Sequence, residues 1–393
     1  MSELTRRQAV KLGIGSLAAI SAPRVEAAKP AARPFLTPAD DFEDVSRGNP
    51  KPHTLTGEAL VRAKLTPETW RLEIRTDETT NAIVTQKAQI ERAVTLDYAQ
   101  LLALGKKHRV MFLKAMQCLN IAQPLGQGLW EGVPLRDVLR LCGAMSNVRR
   151  VYFWGFHNDD PKQRFQSSLS YTEVMETPPG ELPVFVAYRL NGAPLTLERG
   201  GPVRMVVPWA HGFKSIKWLQ QIRLTNDYQT NDTYAEKNND PDSHLKTAAY
   251  LDDVTPGDPA LVSGLVISGW SGLSHVEYWL RPAGPELADD DPAWAQAEWK
   301  RCALAAPPDW SAVLPSGVRS QDVLGFDKAS GKPLSWPLRY SMVGFSAELR
   351  GLKPGKYEVR ARAVDLNGFA QPEPRSIQKS GKNGIQVRRF EVA

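Results

Sequence analysis

Met111-Phe-Leu-Lys-Ala-Met-Gln-Cys118-Leu-Asn120 is an apolar run that ends on a thiol. Arg109 to Gln117 reads as a strand, and it delivers Cys118 to a loop broken by Pro124, Gly126 and Gly128. A helix follows over Pro134 to Cys142, closed by Gly143. Pro134 opens it where a missing N–H does no harm, and Leu135, Val138, Leu139 and Cys142 form its buried face. A thiolate at the end of a buried strand, facing a loop, suits copper(I), zinc, an iron–sulfur cluster or another thiophilic centre. A lone buried cysteine is otherwise a small core residue. Strand and loop leave both readings open.

Outward from this stretch the chain alternates strands with turns. Trp70 to Ile74, Val151 to Trp154, Pro183 to Tyr188 and Pro202 to Pro208 read as strands, and Thr95 to Gly105 as a capped helix ended by its glycine. Asn191-Gly192 is a hairpin turn. Ser46 to His53 is a basic, proline-stiffened loop, and Gly155 to Phe165 is polar. After the Gly212 turn, Lys214, Ser215 and Lys217 are spaced as an oxyanion cradle. Asn226 to Asp242 is polar and reads as a domain boundary. Beyond it lie short strands: Leu261 to Trp270, His275 to Trp279, Trp299 to Leu304, Tyr340 to Leu349, Tyr357 to Val364 and Ile385 to Val392. In one of them Tyr357, Val359, Ala361 and Ala363 alternate with Glu358, Arg360 and Arg362. This spacing predicts a β-sandwich of the immunoglobulin type, without the Cys…Trp…Cys core of antibody domains.

The 393 residues suffice for roughly two or three domains with a sizeable core. Hydrophobic residues are 42% and charged residues 23%, which is globular composition. Three cysteines cannot make a disulfide framework. Cys142 and Cys302 read as packing residues, which leaves Cys118 to explain. Thr5-Arg6-Arg7-Gln8-Ala9-Val10-Lys11, the small apolar segment Leu12 to Ala22 and Val25-Glu26-Ala27 resemble a twin-arginine export signal with its cleavage site. The apolar segment is too short to span a bilayer, which takes about 20 residues. Removing residues 1–28 takes away four cations and two anions, so the net charge falls from +6 to +4. That charge is dispersed, unlike a nucleic-acid stripe.

Trp130-Glu-Gly-Val-Pro-Leu-Arg-Asp-Val-Leu139 resembles the W-x-G-V-P-L-R-D-V-L run of the sulfite oxidase family of molybdenum enzymes. Tyr188 to Leu195, Gly201-Pro-Val-Arg204, Ser215 to Leu219 and Arg362-Ala-Val-Asp-Leu-Asn-Gly368 are similar to further family segments, in the family's order. The resemblance covers roughly residues 45–393. It implies an α+β fold, a sulfite-oxidase-type molybdopterin domain followed by an immunoglobulin-like β-sandwich dimerisation domain. The implied division is a signal peptide over 1–28, a linker or arm over 29–45, a molybdopterin-binding catalytic domain over 46–240 and the sandwich over 241–393. The implied cofactor is molybdenum-molybdopterin, with Cys118 as the protein thiolate on the metal. Arg204, Ser215 and Lys217 match positions that hold the pterin and its phosphate; Lys214 stands nearby, and Arg199 falls where a histidine often sits.

The chain also departs from the family's pattern. Sulfite-oxidising members follow the cysteine with Ala-Gly-Asn-Arg-Arg, whereas Leu119-Asn-Ile-Ala-Gln123 stands here. A substrate-binding arginine falls on Gln123, a tyrosine on Phe165 and a cofactor-contacting aspartate on His157. Arg47, Asn49 and His53 stand in for the family's Arg-Asn-His loop, and Arg164 or Arg47 compensates for the missing arginine. Trp209 and His211 replace small apolar residues. The expected activity is two-electron oxygen-atom transfer in the periplasm on a sulfur compound other than plain sulfite. Electrons would pass to a c-type cytochrome, and the chain would form a homodimer. Alternatives are an S-oxide or N-oxide reductase of the same fold, a secreted binding protein without catalysis, and, more weakly, a zinc hydrolase, against which the scattered histidines speak.

Overall fold

The computed structural model describes residues 33–85, 94–158, 160–233, 240–288, 291–372 and 381–393. The export signal read over 1–28, residues 29–32 of the arm, Asp159 of the polar loop and Asn238 and Asn239 of the polar stretch lie outside the described residues.

After helix α1 (Gly57–Arg62), the alternation from Trp70 forms β1 (Arg71–Thr76), which buries Leu72 and Ile74. β2 (Ile83–Val84) is short, and β3 (Val94–Asp97) lies antiparallel on β1 with Leu96 opposite Leu72. The helix expected from Thr95 therefore starts later, as α2 (Tyr98–His108), with Asp97 and Gln100 closing a capping box. Gly105 does not end it. A Cβ there would stand 2.6 Å from the Tyr188 hydroxyl, so glycine lets the helix lie on that tyrosine. Lys106, Lys107 and His108 complete the last turn at the negative end of the helix dipole.

β4 (Val110–Met116) and β5 (Gly126–Pro134) pair antiparallel from Val110 opposite Gly132 to Met116 opposite Gly126. Every residue of β5 is buried, and Pro134 is its last residue and the cap of α3 (Leu135–Leu139). The chain continues through β6 (Met145–Ser146), β7 (Arg150–Gly155), β8 (Gln166–Ser170), α4 (Tyr171–Met175), β9 (Phe185–Leu190), β10 (Ala193–Pro194), β11 (Arg204–Val206) and β12 (Leu219–Thr225). Asn191 and Gly192 take φ of 51° and 79° to turn β9 into β10. One sheet runs β3-β1-β12-β7-β8, with β1 and β12 parallel. The other runs β10-β9-β5-β4, with β11 on β9. Both feed one apolar cluster that includes Phe112, Trp130, Phe153, Phe185 and Leu219. The described part of the arm adds Phe42 to that cluster, its backbone bonded to Leu125 and Gln127.

The remaining strands are β13 (Ala248–Leu251), β14 (Ala260–Ile267), β15 (His275–Pro282), β16 (Lys300–Arg301), β17 (Ala303–Leu304), β18 (Met342–Leu349), β19 (Gly355–Val364) and β20 (Gln386–Val392), with the short helix α5 (Trp310–Val313) before β18. They form two antiparallel sheets, β13-β14-β18-β17 and β16-β15-β19-β20, around Val262, Val276, Phe345 and Val359. The charged face of β19 is covered. Glu358 is fully buried beside Arg281 and Arg360, the Arg360 guanidinium lies 5.6 and 5.5 Å from the Trp279 and Trp294 rings, and Arg362 lies 4.0 Å over Trp299. Three tryptophan π faces, with the carboxylates of Glu358 and Glu277, thus cover these guanidinium charges. Cys302 separates β16 from β17; burial pushes its thiol up to about 12 and that of Cys142 up to about 11. No helix of the described residues is long and apolar enough to cross a membrane.

Candidate functional site

β4 ends at Met116, and Gln117 shapes the loop beyond it. Its buried side-chain amide donates to the carbonyls of Cys118 and Ile121, while its backbone carbonyl accepts from the Gly212 N–H at 2.7 Å. The loop is thereby curled so that half-buried Cys118 faces a cavity of about 560 Å³. The thiol donates to Asn120 Oδ1 at 2.8 Å. Among the described residues no cluster of three or more His, Cys, Asp or Glu surrounds it, so a metal on this sulfur takes its other ligands from a bound group.

Cations dominate the charged lining of the cavity. Its charged lining is Arg47, Arg199, Arg204, Lys217 and Lys382 against Glu43. Arg204, on β11, is buried and donates to the carbonyls of Arg199 (2.8 Å) and Ser215 (2.6 Å), with no carboxylate on it among the described residues. Burial, with the charge of Arg199 beside it, pushes it down to about 9. Arg199 gives Nη1 to the Phe42 carbonyl and sets Nη2 2.6 Å from Glu198, and its buried Nε has no hydrogen-bond partner among the described residues. Lys217 donates to Asp44 (3.1 Å), Ser46 (2.6 Å) and the Glu198 carbonyl (2.6 Å). Burial and Arg204 still push it down to about 7, against the pull of Asp44. Burial opposes ionisation of Asp44, yet Ser46, Lys217 and Lys51 together hold it well below the usual carboxylate range.

Cys118, Arg47, His157, Phe165, Arg199, Arg204, Ser215 and Lys217 all line this cavity. Arg47 sits 5.3 Å over the Phe165 ring. His157 is held neutral, pushed down to about 4 by burial; its Nδ1 donates to the Gly155 carbonyl, which leaves Nε2 as an acceptor. Five expected residues lie elsewhere. Gln123 bonds Glu43 at 2.7 Å and faces a separate polar cleft of about 270 Å³. Arg164 is spread over Trp154 at 5.0 Å. Lys214 is fully buried on Asp232 (3.0 Å) and the Ser168 carbonyl, a structural tie and no part of the cradle. Asn49 gives its N–H to Gln163, and His53 stacks on Trp218 beside Asp44, so of the expected Arg-Asn-His loop Arg47 alone reaches the cavity.

Sequence reading missed Asp44, Asn120 and Lys382. The Lys382 N–H donates to the Leu119 carbonyl at 2.9 Å and brings a cation from the second half to the rim. Gly381-Lys-Asn-Gly384 is a turn signal, but nothing local ties it to Cys118.

Residues 59–233 match the family model of the oxidoreductase molybdopterin-binding domain. The NAD(P)H nitrate reductase of Betula pendula is 29% identical over 172 residues, 42% of this chain and 18% of the relative. The protein-methionine-sulfoxide reductase catalytic subunit MsrP of Xanthomonas axonopodis pv. citri is 32% identical over 143 residues, 35% of this chain and 42% of the relative. The chain spans less than half the length of these relatives. The sulfane dehydrogenase SoxCD of Paracoccus pantotrophus shares the fold, with a TM-score of 0.55 at 18% identity over 87% of this chain and 86% of that one. The residues fit the group this family binds: one thiol that belongs to no cluster of three or more His, Cys, Asp or Glu among the described residues, a buried arginine Nε with no acceptor among them, and a desolvated cationic end suited to a phosphate.

Proposed function

From the match of residues 59–233 to the oxidoreductase molybdopterin-binding domain we propose that the whole chain is an exported oxidoreductase acting on a sulfur compound. Cys118 Sγ would hold the metal, with Arg199, Arg204, Ser215 and Lys217 around the pterin and its phosphate. When bound, the molybdenum–molybdopterin group supplies two-electron oxygen-atom transfer. Neutral His157 offers Nε2 as an acceptor in the same cavity. Phe42, Phe165 and Phe213 line the same cavity and would limit water around the bound group. Arg47 and Lys382 orient an anionic head beside Cys118 and take the place expected of Gln123.

A single observation carries this reading: a thiol opening into a cavity whose charged lining is five cations to one carboxylate. The chain has no Cys-x-x-Cys-His motif, so electrons would leave to a partner, proposed as a c-type cytochrome. The proposal extends to twin-arginine export to the periplasm, to the domain division at residue 240, and to a homodimer through an immunoglobulin-like second domain. The reverse reaction, reduction of an S-oxide, is favoured by the likeness to MsrP and by the aromatic mouth.

The test is expression of the full chain in a host that makes molybdopterin. Stoichiometric molybdenum and cytochrome c reduction with sulfite, thiosulfate or organic sulfur compounds are expected. Turnover only of methionine sulfoxide with reduced viologen selects the reverse reaction. A metal-free, inert protein from that host overturns both.

A further inference from the structure

The loop that carries Cys118 is fixed at its carbonyls from outside. Gln117 donates to the carbonyls of Cys118 and Ile121, and the Lys382 N–H donates to that of Leu119. On this pinned loop the side chain of Asn120 meets the sulfur, with Oδ1 2.8 Å from Sγ. Asn120 falls on the glycine of the Ala-Gly-Asn run that sulfite-oxidising members of the resembled family carry after their cysteine.

With Oδ1 facing the sulfur, the thiol donates and the amide oxygen accepts. A sulfur bonded to a metal has no proton left and can only accept. An amide oxygen against it would repel. A half-turn of the Asn120 amide puts Nδ2, which carries two N–H donors, in the same place. We propose that Asn120 is a positioning residue that hydrogen-bonds the metal-bound sulfur of Cys118 and tunes the electron affinity of the centre. This rests on the reading of Cys118 as the metal ligand. The bond draws charge off the sulfur and so favours the more electron-rich state of the metal. It also lowers the sulfur lone pairs and moves thiolate-to-metal absorption to higher energy.

Asn120→Leu keeps the bulk and removes the donors; Asn120→Asp puts a carboxylate there instead. In molybdenum-loaded protein both variants are expected to lower the reduction potential of the centre, Asp further than Leu, and to shift the charge-transfer band to longer wavelength. Asn120→Ser, which restores a short donor, is expected to bring back part of both. A band and potential that stay at the wild-type values in the Leu and Asp variants overturn the proposal. So does failure of both variants to load molybdenum, because Asn120 then serves assembly of the site. Absence of the charge-transfer band from the wild-type protein is a different failure, that of the ligand assignment itself.

Discussion

The guanidinium of Arg204 donates to the backbone carbonyl of Arg199, 2.8 Å away, and places two buried like charges in one corner of the cavity. Glu198, itself partly exposed, balances one of them. A second anion would balance the other, and in the proposed site a phosphate would supply it with paired charge-assisted bonds. Arg204→Met is expected to purify folded with most of its molybdenum missing, since loss of one buried charged partner costs about 2–5 kcal/mol of binding. Arg204→Lys keeps the charge, loses the fork and should retain part of the metal. Elemental analysis against protein concentration decides it; full metal in Arg204→Met would refute the anion site.

Lys217 gives that corner a pH dependence. Its folded value of about 7 lies below the ordinary 10.5. Between those values the unfolded chain keeps a proton that the folded chain has lost, so stability of cofactor-free protein rises with pH through that window. Fully buried Lys114, also pushed down to about 7 by burial and by Arg204, acts in the same direction. A bound anion reverses the preference, because it needs the protonated amine. Sulfate, whose charge is constant here, should raise the melting temperature more at pH 6 than at pH 8.5. Lys217→Met should flatten that difference, and equal sulfate effects in the wild type at both pH values would remove Lys217 from the site.

Cys118 is half-buried at the edge of the main core and opens to the cavity, and serine keeps its size. Cys118→Ser should therefore leave the fold intact, within about 1 kcal/mol of wild-type stability. Turnover and thiolate-to-metal absorption should both vanish. Denaturant melts beside visible spectra separate the two effects, and normal turnover in this variant is incompatible with the ligand assignment.

The sequence made the strand before Cys118, the Asn191-Gly192 turn and most second-half strands legible, because each is a local pattern. β3 was hidden because Thr95 and Leu96 continue into a good helix, and their strand pairing with β1 is a distant contact. Gly105 looked like a stop signal, when its role is close approach to Tyr188. Motif order brought Arg204 and Lys217 together with Cys118, and the structure lines one cavity with all three. The place of Lys214 was not legible, because its spacing suits a cradle equally well and Asp232, which takes its charge, lies in a different segment. Gln123 failed for a related reason: aligned onto an arginine, it turns instead toward Glu43 of the arm.

Lys214 and Asp232 are both almost fully buried, and Ser167 and Ser168 also bond the carboxylate. Lys214→Met leaves Asp232 buried without its cation and should cost about 3–5 kcal/mol in urea unfolding. Lys214→Met with Asp232→Leu should recover part of that. The sulfate response should be unchanged in both, which sets this tie apart from Lys217; a lost response in Lys214→Met would return Lys214 to the anion site.

Arg47 and Lys382 reach the rim from opposite parts of the chain, and neither is among the residues proposed to hold the pterin. If the substrate is an anion, each contributes binding that is much the same in the ground and transition states. Arg47→Ala and Lys382→Ala should then raise KM about tenfold or more, as loss of a charged hydrogen bond of about 1.5–3 kcal/mol implies, with kcat little changed. Raising salt should weaken wild-type binding and affect the double variant less, because the lost attraction is screened charge. For an uncharged S-oxide the same substitutions should leave KM nearly unmoved. Steady-state kinetics with one anionic sulfur compound and one neutral sulfoxide thus read the substrate's charge directly from two side chains.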